Sequence, residues 1–206
     1  MTVHSTVARV TIVNPYEEAL HRFDQLIQTA KKTELGVPLS MTLATVDDQR
    51  RPSVRLVAVK NYDRRGFVFF THQRSRKGMQ IASNPHVALC FYCQPLMEQV
   101  TIEGVVELVK DDEADAYWAT RARDGQFAAW ASNKSEPLES RAMLQNRLAE
   151  FQKQYADQRV PRPSTWVGYR VVPNRIEFWR AGWRHLHERV CYHKIDSDWE
   201  VTLLNP

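Results

Sequence analysis

Between Met41 and Val109 the chain reverses every few residues, and this constrains its fold more than any other feature. Short β-branched and aromatic runs at Met41–Val46, Val54–Lys60, Phe67–Thr71, Val87–Cys93 and Glu98–Val109 each predict a strand. Polar turns separate them, among them Asp47-Asp48-Gln49-Arg50-Arg51-Pro52 and Asp63-Arg64-Arg65-Gly66. That spacing suits a barrel or sandwich rather than alternating strand–helix–strand units. Strands return at Trp166–Val172, Arg175–Trp179, Glu188–Ile195 and Trp199–Leu204.

Helices flank these runs. Asn14 as cap, Pro15 at the first helical position and Glu17 and Glu18 in the first turn open one that stops at Gly36. Residues 1–13 before it read as a flexible, frayed arm. Ser75 opens a short helix ending before Asn84-Pro85, Asp111-Asp112-Glu113 opens another through Tyr117 and Trp118, and Glu139–Tyr155 reads as a further one. The polar loop Val160-Pro161-Arg162-Pro163 is expected to cross back to the same barrel. The expectation is one mainly β, mostly antiparallel domain over residues 1–206.

Composition enters as exclusion. With 206 residues, 43% hydrophobic and 25% charged, the chain is no disordered tail, collagen repeat or coiled-coil rod. A net charge of +4 suits an anionic ligand as well as it suits nucleic acid. No apolar run approaches the roughly 20 residues that span a bilayer, and no secretory leader is visible, so no membrane is expected. Cys90, Cys93 and Cys191 are too few for a disulfide framework, which favours a reducing cytoplasm.

Four constellations can carry chemistry. In Phe70-Thr71-His72-Gln73-Arg74-Ser75-Arg76-Lys77-Gly78 a strand end meets a helix start bearing hydroxyl and basic groups, which together can hold a phosphate; taken alone, a serine cap followed by solvated cations is the plainer reading. Arg55 and Lys60 lie five apart on an apolar strand, on opposite faces if the strand is regular. Either one snorkels to solvent, or a ligand or bulge gathers both. Tyr117 and Arg121, four apart, fall on one helix face, to share a phosphate or carboxylate or simply to stack. From His185 to His193, alternate residues give His, His, Arg, Cys and His in a row. Arg189 in the middle counts against a metal, and Cys90 and Cys93 face opposite sides of a strand as separate core thiols, so no metal is expected.

In this order the pieces resemble the pyridoxine/pyridoxamine 5′-phosphate oxidase family. The carrying motifs are Arg55-Leu-Val-Ala-Val-Lys60, Tyr62-Asp-Arg-Arg-Gly-Phe-Val-Phe-Phe-Thr71, Ser75-Arg-Lys-Gly78 and Glu98-Gln-Val-Thr-Ile-Glu-Gly104. They continue as Ala129-Trp-Ala-Ser132 with Ser135-Glu-Pro137, Ile176-Glu-Phe-Trp179, Leu186-His-Glu-Arg189 and Leu204-Asn-Pro206. The resemblance implies an FMN-binding split β-barrel and a homodimer with FMN in the subunit interface, residues 164–206 completing the flavin site and that interface. It implies flavin contacts from Arg55, Leu56, Val57, Ala58, Val59, Lys60, Phe70, Thr71, Arg76, Lys77, Gln99, Lys134, Ser135, Trp179 and Arg189. Lys60, Tyr117 and Arg121 match the residues that hold the substrate phosphate, and His187 the one near the reacting carbon. Arg121 and His187 are the catalytic pair it implies.

The departures fall mainly on the substrate side. Gly125 stands where the family has serine, His185 where it has arginine, and Lys134 where it has a flavin-contacting glutamine; no Arg-x-x-Tyr arm precedes the first helix. The implied function is oxidation of pyridoxamine or pyridoxine 5′-phosphate to pyridoxal 5′-phosphate by FMN, with oxygen as acceptor and hydrogen peroxide released. The alternatives are a flavin oxidase of the same family acting on another reduced heterocycle, of the phenazine type, and a flavin- or nucleic-acid-binding protein without turnover. Basic residues interspersed with acids, with no aromatic–basic stripe, count against nucleic acid.

Overall fold

The computed structural model of the protein describes residues 14–32 and 39–206; the arm expected over 1–13 and the helix stop expected at Gly36 lie outside them. Helix α1 (Pro15–Lys32) starts as predicted, with the Tyr16 N–H donating to Asn14 Oδ1 at 2.9 Å. Its buried stripe is Ala19, Phe23, Leu26, Ile27 and Ala30, and Phe23 meets Tyr62 and Phe67 edge-on inside the core.

Eight strands follow: β1 (Ser40–Val46), β2 (Pro52–Asp63), β3 (Gly66–His72), β4 (His86–Cys93), β5 (Glu98–Leu108), β6 (Trp166–Arg180), β7 (Glu188–Ile195) and β8 (Asp198–Leu203). Every pairing is antiparallel, in the order β3-β2-β1-β4-β5-β6-β7-β8, and a further β3–β6 pairing closes the first six into a barrel. Met41, Leu43, Phe67, Phe69, Leu89, Val100, Ile102, Val171 and Ile176 alternate inward and fill it. The expected split barrel is thus what forms.

The two strands expected at Trp166–Val172 and Arg175–Trp179 are one strand of 15 residues. Pro173 lies opposite Gly104, where the β5–β6 register shifts, so its missing N–H falls at a bulge rather than in the ladder. Trp166–Val171 of β6 pairs with β3, and Arg175–Arg180 pairs with β7. One strand therefore closes the barrel and then leaves it.

Helix α2 (Arg76–Ser83) is capped by Ser75, whose hydroxyl accepts the Gly78 N–H at 3.3 Å. Helices α3 (Asp111–Thr120), α4 (Arg123–Ala131) and α5 (Arg141–Gln154) follow β5, of which α4 was not expected from sequence. Arg170 of β6, only 3% exposed, pins α3 to the barrel through Glu113 at 2.7 Å. Arg162 adds Asp111 and Asp115 at 2.7 and 2.6 Å. The 160–163 loop is the expected crossover, its carbonyls at Val160 and Pro161 accepting from the indoles of Trp118 and Trp130.

Two expectations are corrected. β7 begins at Glu188 as expected, but Trp183–His185 before it form a 3-10 turn with left-handed backbone at Arg184 and His185 (φ 53° and 65°). The histidine row from 185 to 193 therefore does not assemble on one face. Cys90 and Cys93 do face opposite sides, but only Cys93 joins the core, and Cys90 is half-buried outside it. Among the described residues no helix is long and apolar enough to cross a membrane.

Candidate active site

The turn from β3 into α2 is so close that a Cβ on Gly78 would lie 2.3 Å from the Gln73 carbonyl oxygen. That approach holds Arg76 and Lys77 near enough to Arg55 of β2 for their charges to act on it. Arg55 shares a strand face with the buried Val57 and Val59, so it points to the inner side at the barrel end. There its guanidinium donates to Thr45 Oγ1 (2.5 Å), Ser53 Oγ (2.7 Å), Gln80 Oε1 (3.2 Å) and the Leu43 carbonyl (3.2 Å), all neutral acceptors. Lys77 Nζ donates to Thr71 Oγ1 at 3.4 Å. The Arg76 N–H donates at 3.0 Å to the hydroxyl of Ser135, a residue held in left-handed backbone (φ 68°).

These cations crowd one another. Burial first, then Arg55 and Lys134, lower the Lys77 ammonium; burial and then Arg76 lower Arg55; burial and then Arg121 lower Lys134. Buried His72 is pushed down to about 4 by desolvation, then by Lys134 and Lys77. Among the described residues, none of Arg55, Arg76, Lys77, Lys134 and Arg121 pairs with a carboxylate. Cations gathered without a counter-ion, beside hydroxyls and a helix start, have the donor chemistry of a phosphate site.

Tyr117 and Arg121 do not share a helix face, because α3 ends at Thr120 and Arg121 is extended (ψ 141°). They meet around Trp166 instead. Phe70 stacks on Tyr117 at 4.2 Å and on Trp166 at 4.9 Å, while the Arg121 guanidinium lies 5.2 Å from Trp166 and 5.7 Å from Trp118. Arg121 Nη2 donates to the Gly125 carbonyl at 3.0 Å. A Cβ at 125 would stand 3.2 Å from that same Nη2, so glycine leaves the guanidinium room to settle. Lys60 is not gathered to Arg55: it is exposed, at the bulge between Val59 and Asn61.

Of the other predicted residues on β2, Leu56 is exposed, Ala58 half-buried, and Val57 and Val59 are buried in the barrel core; Gln99, Trp179, His185, His187 and Arg189 lie at the other end of β6. Gln99 is paired with Trp179, and Trp179 with Arg189. The His187 ring sits 4.8 Å from Trp179 and 5.9 Å from His185. The Gly182 N–H donates to His187 Nδ1 at 3.3 Å, which leaves the neutral ring its proton on Nε2. Arg189 is engaged rather than free: Glu177 accepts from it at 2.7 Å and the Asn205 carbonyl at 3.0 Å. Val167, opposite Thr71, and Trp179 are separated by roughly 40 Å of extended strand. One chain thus splits the expected flavin residues between two ends.

Residues 27–155 match the family model described as pyridoxamine 5′-phosphate oxidase, and residues 166–206 match the pyridoxine 5′-phosphate oxidase C-terminal dimerisation region. The chain belongs to the pyridoxamine 5′-phosphate oxidase family. It is thereby an oxidoreductase. A pyridoxine/pyridoxamine 5′-phosphate oxidase of Myxococcus xanthus (strain DK1622) is 50% identical over 92% of this chain and 92% of its own. That of Alkalilimnicola ehrlichii is 48% identical over 92% and 98%. Among solved structures, PhzG from Burkholderia lata 383, in complex with tetrahydrophenazine-1-carboxylic acid, superposes with a TM-score of 0.87 at 29% identity, covering 97% of this chain and 100% of that one. An FMN binding protein from Nostoc punctiforme PCC 73102, at TM-score 0.67 and 19% identity over 98% and 100%, shares the fold.

Within this oxidase-family chain, three residues near the predicted set escaped sequence reasoning. Gln80 accepts from Thr45, Ser53 and Arg55 at once, Trp166 carries the aromatic stack, and Glu177 holds both Arg175 and Arg189 at 2.7 Å. Glu177 alone had a signal, a carboxylate inside the apolar run Ile176–Trp179.

Proposed function

We propose that the protein is an FMN-dependent oxidase of pyridoxamine or pyridoxine 5′-phosphate, working as a homodimer, passing electrons to oxygen and releasing pyridoxal 5′-phosphate and hydrogen peroxide. The observation that carries this reading is the set of cations at the start of α2 with no counter-ion among the described residues, adjoining the Phe70–Tyr117–Trp166 stack. FMN fits it, since Arg55, Arg76 and Lys77 would hold the flavin phosphate, with Thr71 and Ser135 adding hydroxyls. When bound, FMN supplies the hydride acceptor.

The protein's part is positioning and electrostatics. Arg121, Tyr117 and Lys60 would anchor the substrate phosphate, and the aromatic wall beside them excludes water. His187, with Nδ1 taken by the Gly182 N–H, presents Nε2–H as a donor toward the substrate ring. Gln99, Trp179, His187 and Arg189 lie too far along β6 to join this chain's own phosphate end. A second copy would supply them, in keeping with the match of residues 166–206 to a dimerisation region.

A second reading is favoured by Gly125 and His185 together with the likeness to PhzG: the same flavin chemistry on another reduced heterocycle. Anaerobic mixing separates the two. Pyridoxamine 5′-phosphate is expected to bleach the bound flavin and unphosphorylated pyridoxamine to do so poorly, with Arg121→Ala nearly abolishing turnover. A flavin that stays oxidised with pyridoxamine phosphate at every pH, and in His185→Arg as well, would make the heterocycle reading the leading one.

A further inference from the structure

Resting on the substrate reading above, we propose that Trp166 is a positioning residue for the substrate phosphate: its indole, with that of Trp118, forms a corner that fixes the Arg121 guanidinium. Trp166 is 3% exposed and opens β6, where its N–H donates to the Pro163 carbonyl at 2.9 Å and its own carbonyl accepts from Arg162 Nη1 at 2.9 Å. Its plane lies within 8° of both Phe70 and Tyr117. Trp118 meets it nearly edge-on, at 4.9 Å and 68°, and is itself fixed by donating Nε1–H to the Val160 carbonyl at 2.9 Å.

Arg121 lies against both rings. A free arginine samples many rotamers, and ordering it on binding costs affinity. Here a single hydrogen bond, to the Gly125 carbonyl, holds Nη2, and Nε is buried with no hydrogen-bond partner. A buried donor left unbonded costs free energy, so other contacts must offset that cost and hold the group. The two indole faces are those contacts, attracting the cation through their π-electrons. Trp166 reaches Tyr117, Phe70 and Arg121 together, so it links the proposed flavin wall to two of the three proposed phosphate anchors.

The test compares Trp166→Leu with Trp166→Phe, which keeps an aromatic face. For the FMN-loaded enzyme, the ratio of kcat/KM for pyridoxamine 5′-phosphate to that for pyridoxamine is expected to fall about tenfold in Trp166→Leu, mainly through KM, and at most about threefold in Trp166→Phe. Independently of turnover, the Arg121 Nε–H resonance, followed in ¹H–¹⁵N spectra, is expected to exchange slowly in the wild type and in Trp166→Phe, and rapidly in Trp166→Leu. An equal loss on both substrates, or slow Nε–H exchange surviving in Trp166→Leu, overturns the proposal. If the wild type does not prefer the phosphorylated substrate, the substrate reading falls, while the exchange measurement still decides whether Trp166 fixes Arg121.

Discussion

Setting aside Arg162 and Arg170, which tie α3 to the barrel through Asp111, Asp115 and Glu113, the cations near the two ends of β6 stand in opposite circumstances. Near the Trp166 end, Arg55, Lys77 and Arg121 meet neutral acceptors, while Arg76 and Lys77 bear on Arg55 and Arg121 on Lys134 as like charges. At the Arg180 end, Arg175 and Arg189 share Glu177, and Arg180 pairs with Glu188 at 2.6 Å. Charge stored without a partner is available to a ligand and costs the ligand-free fold some stability. Charge locked in a pair supports the fold and offers a ligand fixed N–H groups rather than net charge.

That contrast breaks most visibly at Lys77. Lys77→Ala is expected to weaken FMN by about 1.5–3 kcal/mol, roughly ten- to hundredfold by fluorescence titration, while riboflavin binding barely moves. The urea midpoint of the FMN-free protein should hold or rise, because a like charge has been removed. Glu177→Gln should do the reverse. It strands two arginines around a side chain only 12% exposed and should lower stability by about 2 kcal/mol, between a surface and a buried pair, at unchanged m-value in urea.

His72 sharpens the contrast through pH. Its folded value near 4 lies below the ordinary 6.5, so on acidification the unfolded chain takes up the proton first. The stability His72 provides is present above pH 6.5 and is lost as pH falls toward 4, by about 1 kcal/mol between pH 6.5 and 5.5. His72→Gln should flatten that slope in urea titrations at several pH values. The smallest effect belongs to His185→Arg, which restores a permanent cation in the left-handed turn and should lower KM for the phosphorylated substrate by about threefold.

Strand identity was legible because alternation and turn chemistry are local: β7 begins and ends where sequence places it, and Ser75 caps α2 as read. Pro173 misled because the bulge that accommodates it is supplied by Gly104, nearly seventy residues away in the chain. Helix α4 escaped because Ala122 caps it with no side-chain hydrogen bond and Gly125 falls in its first turn, so no start signal marks it. On the site side, Arg55 and Arg189 look alike in sequence. Only the fold, which sets Glu177 of β6 beside Arg189 and Gln80 of α2 beside Arg55, separates the free cation from the paired one.

Barrel closure also has a schedule. Phe67 of β3 pairs with Val171 of β6 across more than a hundred residues of chain, so during synthesis β3 emerges long before its second neighbour exists. Its open edge must wait, exposed to other nascent strands, until nearly the whole polypeptide has left the ribosome. Such distant pairing makes for slow folding. A stalled or truncated chain ending before Trp166 would therefore hold five barrel strands with unclosed edges, and the cell would meet it as a substrate for chaperones rather than as a smaller enzyme.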